Sequence, residues 1–128
     1  MTAQGRARVL HGIADAIDAR TDDIAAAEAL GTGLPVTQAG EQAARASGLF
    51  RLAADLITAR PESLAPAESS YVVARPAGIA GLITSWSTPF PAQARAVAPA
   101  LAAGCAVVLK PDEWAPLPAA LLAEITTA

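Results

Sequence analysis

A chain of 128 residues can build one domain with a real core, and at 53% hydrophobic and 16% charged it is too apolar to be disordered. Its net charge of −3, from nine basic and twelve acidic side chains, contains no basic run, so no nucleic-acid surface and no lipid-binding basic helix is expected. The single cysteine, Cys105, excludes an intramolecular disulfide and a cysteine-based zinc site, and no metal site is expected. Met1 to Arg8 is polar and leads into an amphipathic stretch rather than a signal-peptide core. Apolar stretches broken by Pro99, Gly104 and Lys110 fall short of the ~18–20 residues that span a bilayer. The expectation is a soluble cytoplasmic protein without membrane contact.

The first sixty residues read as helices. Val9, Leu10, Ile13 and Ile17 recur at helical spacing, with Arg8, Asp15 and Asp18 at polar positions between them. Thr21 is placed to cap a second helix, with Asp22 and Asp23 in the first turn, where the helix dipole favours negative charge. Gly31, Gly33 and Pro35 end it. A third helix is predicted from about Thr37 to Ala59, with Leu49, Leu52, Ala53 and Leu56 as its apolar stripe and Pro61 as its stop. His11 sits on the first helix with no partner motif and reads as a solvated side chain. Gly31-x-Gly33 follows a helix rather than a strand, so it is not a dinucleotide fingerprint.

Pro61 to Ser70 reads as a connector, and Tyr71 to Arg75 as a short strand. After a turn at Pro76, Ala77 and Gly78, Ile79 to Thr84 is a short apolar run consistent with a buried strand. Phe90 to Ala103 is helical, with Gly104 at the C-terminal cap. Cys105 to Leu109 is a second valine-rich buried strand, and Pro116 to Thr127 starts another helix. Residues 1–60 thus form a helical segment, 61–78 a connector with a short strand, and 79–128 a βαβα unit whose strands should be parallel and whose crossover should be right-handed. That is the pattern of nucleotide-binding α/β domains. Two core strands alone leave unpaired edges and exposed apolar faces, so the unit reads as incomplete.

The run from Gly78 to Ile125 resembles the aldehyde dehydrogenase superfamily. The matching residues are Trp86, Pro89, Ala98-Pro99-Ala100-Leu101-Ala102, Gly104 and Lys110-Pro111-Asp112-Glu113. Ser87-Thr88-Pro89-Phe90, Gly104-Cys105 and Glu113-Trp114 look most like the branch that oxidises carboxymethyl-hydroxymuconate semialdehyde. Upstream, Ala29 to Pro35 resembles the family's Glu-x-Gly-Lys-Pro region more loosely, and Tyr71 to Arg75 resembles part of its oligomerisation region. The likeness covers essentially the whole chain.

The resemblance implies a fold, an incomplete Rossmann-like βαβα unit behind N-terminal helices, and a cofactor, NAD or NADP. Glu113 would accept hydrogen bonds from both hydroxyls of the adenosine ribose, and Lys110 would add a donor. The Glu113 carboxylate would repel a 2′-phosphate, which favours NAD. The backbone of Ile83, Thr84, Ser85 and Trp86 would run along the cofactor, although Trp86 reads equally well as a packing residue. The plainer reading of Lys110 and Glu113 is two solvated charges at a strand end. Ser87 stands where the family has an asparagine whose amide stabilises the thiohemiacetal oxyanion, and losing such a donor typically costs about 10² to 10³ in rate. Arg95-Ala96 replaces a common Trp-Lys pair. The family's nucleophilic cysteine, general-base glutamate and phosphate-side glycine loop would lie beyond Ala128. Cys105, opening an apolar strand, reads as an inert small hydrophobe, so no catalytic residue is expected in the chain.

Two functions are compatible with these residues. One is a piece of an NAD(P)-dependent aldehyde dehydrogenase that supplies the adenosine-ribose side of the cofactor site. Alone it would be inactive and bind the cofactor weakly or not at all. It would act on a small-molecule aldehyde only when completed by a complementary C-terminal portion. The other is a non-catalytic relic, a helical interaction or oligomerisation module that buries its incomplete sheet by self-association.

Overall fold

Helix-forming periodicity and residues that cannot continue a helix divide the first half of the chain into three segments. The computed structural model describes residues 1–59, 63–67 and 70–127. Helix α1 spans Ala3–Ala19, and the Thr2 hydroxyl at its N-cap accepts the Gly5 N–H at 3.1 Å. Leu10, Ile13, Ala14 and Ile17 face inward, whereas Val9, expected in the same stripe, stays about half exposed. Helix α2 spans Thr21–Thr32, with Asp22 and Asp23 in its first turn. It ends at Gly33, whose φ of 75° is the left-handed conformation that favours glycine. Thr21 does not cap α2. Arg20 holds the N-cap position, and the Thr21 hydroxyl donates back to the Asp18 carbonyl at 2.9 Å.

Helix α3 spans Val36–Ala59, and of the stripe that the sequence suggests only Ala53 and, in part, Leu49 face the core. Ala39, Ala43, Ala46, Ser47, Phe50, Ala53 and Ala54 are buried, while Leu52 and Leu56 are 53% and 61% exposed. Small residues let helices approach closely, and a leucine at that interface would hold the axes apart. The alanine-and-Phe50 face therefore goes inside, with Leu49 partly buried against the core, and Leu52 and Leu56 rotate out. The stop assigned to Pro61 lies outside the described residues.

The connector contains a strand that sequence reading missed. Strand β1, Ser63–Ala67, pairs antiparallel with β2, Ser70–Val73, and the register shifts between Leu64 and Ala67. Pro66 lies inside that shift, and proline, having no N–H to give to a ladder, is tolerated in strands at such irregularities.

Strand β3, Ile79–Ile83, helix α4, Pro89–Ala102, strand β4, Ala106–Lys110, and helix α5, Leu117–Thr127, form the expected βαβα unit. The strands are parallel, in a register that runs from Ile79 opposite Ala106 to Ile83 opposite Lys110. Helix α4 ends in a tight turn. Gly104 has φ 85°, and a Cβ there would lie 3.0 Å from the Pro76 ring. Arg6 on α1 donates from Nε to the Ala102 carbonyl at 2.8 Å and so ties off the C-terminus of α4.

The two core strands are half-buried rather than buried. Leu82, Val107 and Leu109 pack toward the helices, while Ile79, Ile83 and Val108 point away and are exposed, Ile83 to 85%. With side chains alternating along each strand, one layer of helices covers only one face. A single apolar cluster joins residues of α1, α2, α3, α4 and α5, with Phe50, Phe90, Leu10, Ile17 and Ile24 as its largest fully buried hydrophobic side chains. Truncating Phe50 to alanine should destabilise the chain by about 3–5 kcal/mol, whereas Leu52→Ala should change stability by less than about 1 kcal/mol. Chemical denaturation of the two variants checks this; the reverse order would restore the leucine stripe as the packed face.

Candidate functional site

The parallel ladder decides which loops meet. Ile83 and Lys110 are opposite each other at the last rung, and the Thr84 N–H extends the pairing by donating to the Lys110 carbonyl at 3.3 Å. The Ile83–Trp86 segment and the Lys110–Glu113 segment therefore leave the sheet side by side at its carboxyl edge, where open α/β sheets bind ligands. The Lys110 and Glu113 side chains are exposed, and neither forms an ion pair among the described residues. The Asp112 carboxylate accepts the Trp114 N–H at 3.1 Å, which tightens the turn after β4.

Thr84 is buried, and its hydroxyl has no protein partner. Ser85 and Ser87 are exposed and close on each other. Their hydroxyl oxygens are 3.2 Å apart, and the Ser87 N–H donates to Ser85 Oγ at 3.3 Å. Trp86 is 52% exposed, and with Gly31 and the exposed Trp114 it lines an open depression of about 290 Å³.

Cys105 precedes β4 instead of opening it, and is partly exposed. It stands at the opposite end of the strand from Lys110. Five residues at ~3.3 Å each put it roughly 17 Å from the carboxyl edge, out of reach of a substrate held there. His11 is solvent-exposed over about half of its side chain, and its Nε2 lies 3.4 Å from the exposed Asp55 Oδ1, between α1 and α3. Arg95 sits on the outer side of α4 and, with Leu49, Leu52, Leu56, Ile57 and Pro99, lines an apolar groove of about 310 Å³ between α3 and α4. Among the described residues, no group of three His, Cys, Asp or Glu side chains is arranged to hold a metal, and no helix is long and apolar enough to cross a membrane.

Sequence reading passed over Glu28. It lies on α2, is fully buried, and its Oε1 accepts the Phe90 N–H at 2.5 Å, in the first turn of α4. Thr88, the N-cap residue of α4, makes no side-chain capping bond, so a carboxyl from another helix serves instead. Burial pushes the Glu28 carboxyl up from its ordinary value of 4.5, against the opposing pull of the Phe90 hydrogen bond. A sequence signal existed only in part: a lone glutamate among Ala25, Ala26, Ala27 and Ala29 on a helix that closes on a glycine stop.

A parallel strand–helix–strand unit sending two loops from one carboxyl edge is an arrangement shared with nucleotide-binding α/β domains. A family model described as "Aldehyde dehydrogenase family" matches residues 1–128, and the chain belongs to that family. It is 40% identical to the 2-hydroxymuconic semialdehyde dehydrogenase of Pseudomonas sp. (strain CF600), over 100% of this chain and 28% of that protein. It is 41% identical to a chloroplastic aminoaldehyde dehydrogenase of Arabidopsis thaliana, over 94% of this chain and 25% of that protein. These levels do not separate the branches. Among solved structures, a mutant of aldehyde dehydrogenase C from Pseudomonas syringae complexed with NAD+ and octanal superposes with a TM-score of 0.94 at 34% identity. The match covers 98% of this chain and 26% of that one. HpcC from Thermus thermophilus superposes at 0.89 with 37% identity, over 99% of this chain and 25% of its own. The chain spans about a quarter of the length of these relatives.

Because the Glu28 carboxyl is raised, the unfolded chain ionises it first. The stability associated with Glu28 is complete below about pH 4.5 and falls as pH rises through the higher folded value. Glu28→Gln keeps an oxygen for the Phe90 N–H but does not ionise. Its melting temperature should gain on the unsubstituted chain progressively above about pH 4.5 and then level off. Parallel pH–melting curves would refute a raised Glu28.

Proposed function

We propose that this chain contributes the adenosine-ribose side of an NAD(P) site to an aldehyde dehydrogenase, an oxidoreductase converting aldehyde to carboxylic acid, and that alone it catalyses no turnover. The observation that carries the reading is the register of β3 and β4, which sets the Ile83–Trp86 and Lys110–Glu113 segments beside each other at the carboxyl edge. The residues fit the group. The Glu113 carboxylate and Lys110 ammonium are exposed and not engaged in ion pairs among the described residues, so both are free to meet a ribose.

Glu113 would accept from the ribose hydroxyls, Lys110 would donate to them, and the backbone from Ile83 to Trp86 would line the path of the dinucleotide. The negative charge of Glu113 disfavours a 2′-phosphate, which selects NAD over NADP. When bound, the dinucleotide supplies the hydride acceptor. Ser87 holds the family's asparagine position with a shorter donor already shared with Ser85, and Cys105 is at the wrong end of β4. The nucleophile and general base are proposed to come from a complementary C-terminal portion.

By calorimetry, AMP and NAD should bind this chain weakly and with similar affinity, because only the adenosine half meets protein. Glu113→Ala should weaken AMP binding roughly tenfold, the usual effect of losing a hydrogen-bonded charged partner. NAD binding far more tightly than AMP, or binding indifferent to Glu113, would count against the assignment.

A second reading, an interaction module, is favoured by the uncovered sheet face at Ile79, Ile83 and Val108 together with the groove beside Leu52 and Leu56. Soluble monomers rarely tolerate contiguous apolar patches beyond a few hundred Å². The chain should therefore self-associate or retain a partner. Light scattering across a tenfold dilution should give masses above the monomer that fall with concentration; a constant monomer mass would exclude this reading.

A further inference from the structure

The segment between β3 and α4 has few ties to the rest of the protein. Ser85, Trp86, Ser87 and Thr88 are all exposed, and the Ser85 and Ser87 hydroxyl oxygens are 3.2 Å apart. Among the described residues, two hydrogen bonds join the ends of this segment to other elements. At the β3 end the Thr84 N–H donates to the Lys110 carbonyl of β4 at 3.3 Å. At the α4 end the Phe90 N–H donates to Glu28 Oε1 of α2 at 2.5 Å. The first bond runs backbone to backbone and follows from the strand register. The second depends on one side chain, which is fully buried and reaches a turn that Thr88 leaves uncapped.

Helix α2 meets the carboxyl edge a second time. Gly31 stands three residues after Glu28, on the same side of the helix. It lines the open depression shared by Trp86 and Trp114, one indole from each edge segment. A Cβ on Gly31 would lie 3.7 Å from Ala115 Cβ, so α2 runs close beside the turn that follows Glu113. One face of α2 therefore bears on both segments that leave the sheet. A buried side chain has little rotamer freedom left, so a backbone group bonded to Glu28 is held in one place.

We propose that Glu28 is a positioning residue for the carboxyl edge: by holding the Phe90 N–H, it sets where the Ser85–Thr88 segment stands relative to Lys110 and Glu113. It acts through the backbone of the segment that carries Trp86, not by touching a ligand. The consequence for binding rests on the cofactor reading, in which the Ile83–Trp86 backbone lines the path of the dinucleotide; the positioning itself does not. A side chain at the N-cap, position 88, is the ordinary way to satisfy such an N–H. A local cap of that kind would move with the segment and would not fix it against α2.

The test uses the full 128-residue chain, with Trp114→Phe as the background for fluorescence so that Trp86 is the single tryptophan. Glu28→Gln keeps an oxygen for the Phe90 N–H, whereas Glu28→Met is similar in length and has none. Glu28→Met combined with Thr88→Asp supplies a local cap for α4 without the link to α2, and it carries the comparison if Glu28→Met alone does not fold. Acrylamide quenching and emission of Trp86 should be unchanged in Glu28→Gln; in both Glu28→Met chains quenching should rise and emission should shift to the red. AMP binding by calorimetry, with Trp114 in place, should be retained in Glu28→Gln and weakened about tenfold in both Glu28→Met chains. Ile17→Val, a core change on α1, controls for lost stability and should alter neither measurement. A Trp86 signal that is the same in every variant overturns the proposal. So does one that Thr88→Asp restores, because Glu28 would then be a cap and nothing more. If the unsubstituted chain binds no AMP, the cofactor reading fails, and the Trp86 signal still decides whether Glu28 positions the segment.

Discussion

The parallel pairing of β3 with β4 is the constraint on which the rest of this structure depends. Parallel neighbours cannot be joined by a hairpin, so the chain must leave the carboxyl end of β3, cross over, and return to the start of β4. Helix α4 is that crossover, and the register fixes where it must begin and end. Both of its ends are held by side chains from the N-terminal helices. Glu28 of α2 takes the Phe90 N–H at the start, and Arg6 of α1 donates to the Ala102 carbonyl at the finish. The N-terminal helices are therefore the scaffold that aims the crossover, and the two candidate loops inherit their positions from it.

The same scaffold explains where the apolar surface lies. Helix α3 meets the core through alanines and Phe50, a face that permits close approach, and its leucines turn to the groove beside Arg95 and Pro99. The sheet likewise buries one face against helices and presents Ile79, Ile83 and Val108 outward. Salt links such as Arg20 to Glu124 at 2.8 Å and Arg51 to Asp15 at 2.6 Å cross between elements, but they are exposed and contribute little compared with the shared apolar cluster.

The carboxyl edge carries a carboxylate, an ammonium group, backbone, and a serine pair occupied with itself. In the proposed reading these groups would hold and orient a ribose rather than attack an aldehyde. A family resemblance states ancestry and fold, while activity is decided by the site.

Sequence by itself determined the order and type of nearly every element here. Glycine and proline punctuation ended the helices, and period-3.6 and short valine-rich runs separated helix from strand. The strand–helix–strand spacing required the parallel pair, and the Lys110-Pro111-Asp112-Glu113 and Trp86 motifs carried the family and the candidate edge. Tertiary structure decided what depends on a partner distant in the chain. Strand β1 hides in a Pro-bearing connector because its pairing with β2, not its own pattern, makes it a strand. The inward face of α3 was set by how closely its neighbours approach, which no leucine count along one helix can express. Glu28 reads as one more charge on an alanine-rich helix until α4 arrives 62 residues later with an uncapped Phe90 N–H. Local patterns encode backbone preference within a few residues. Packing faces, shared caps and buried polar pairs are set by the geometry of elements that meet only when the chain has folded.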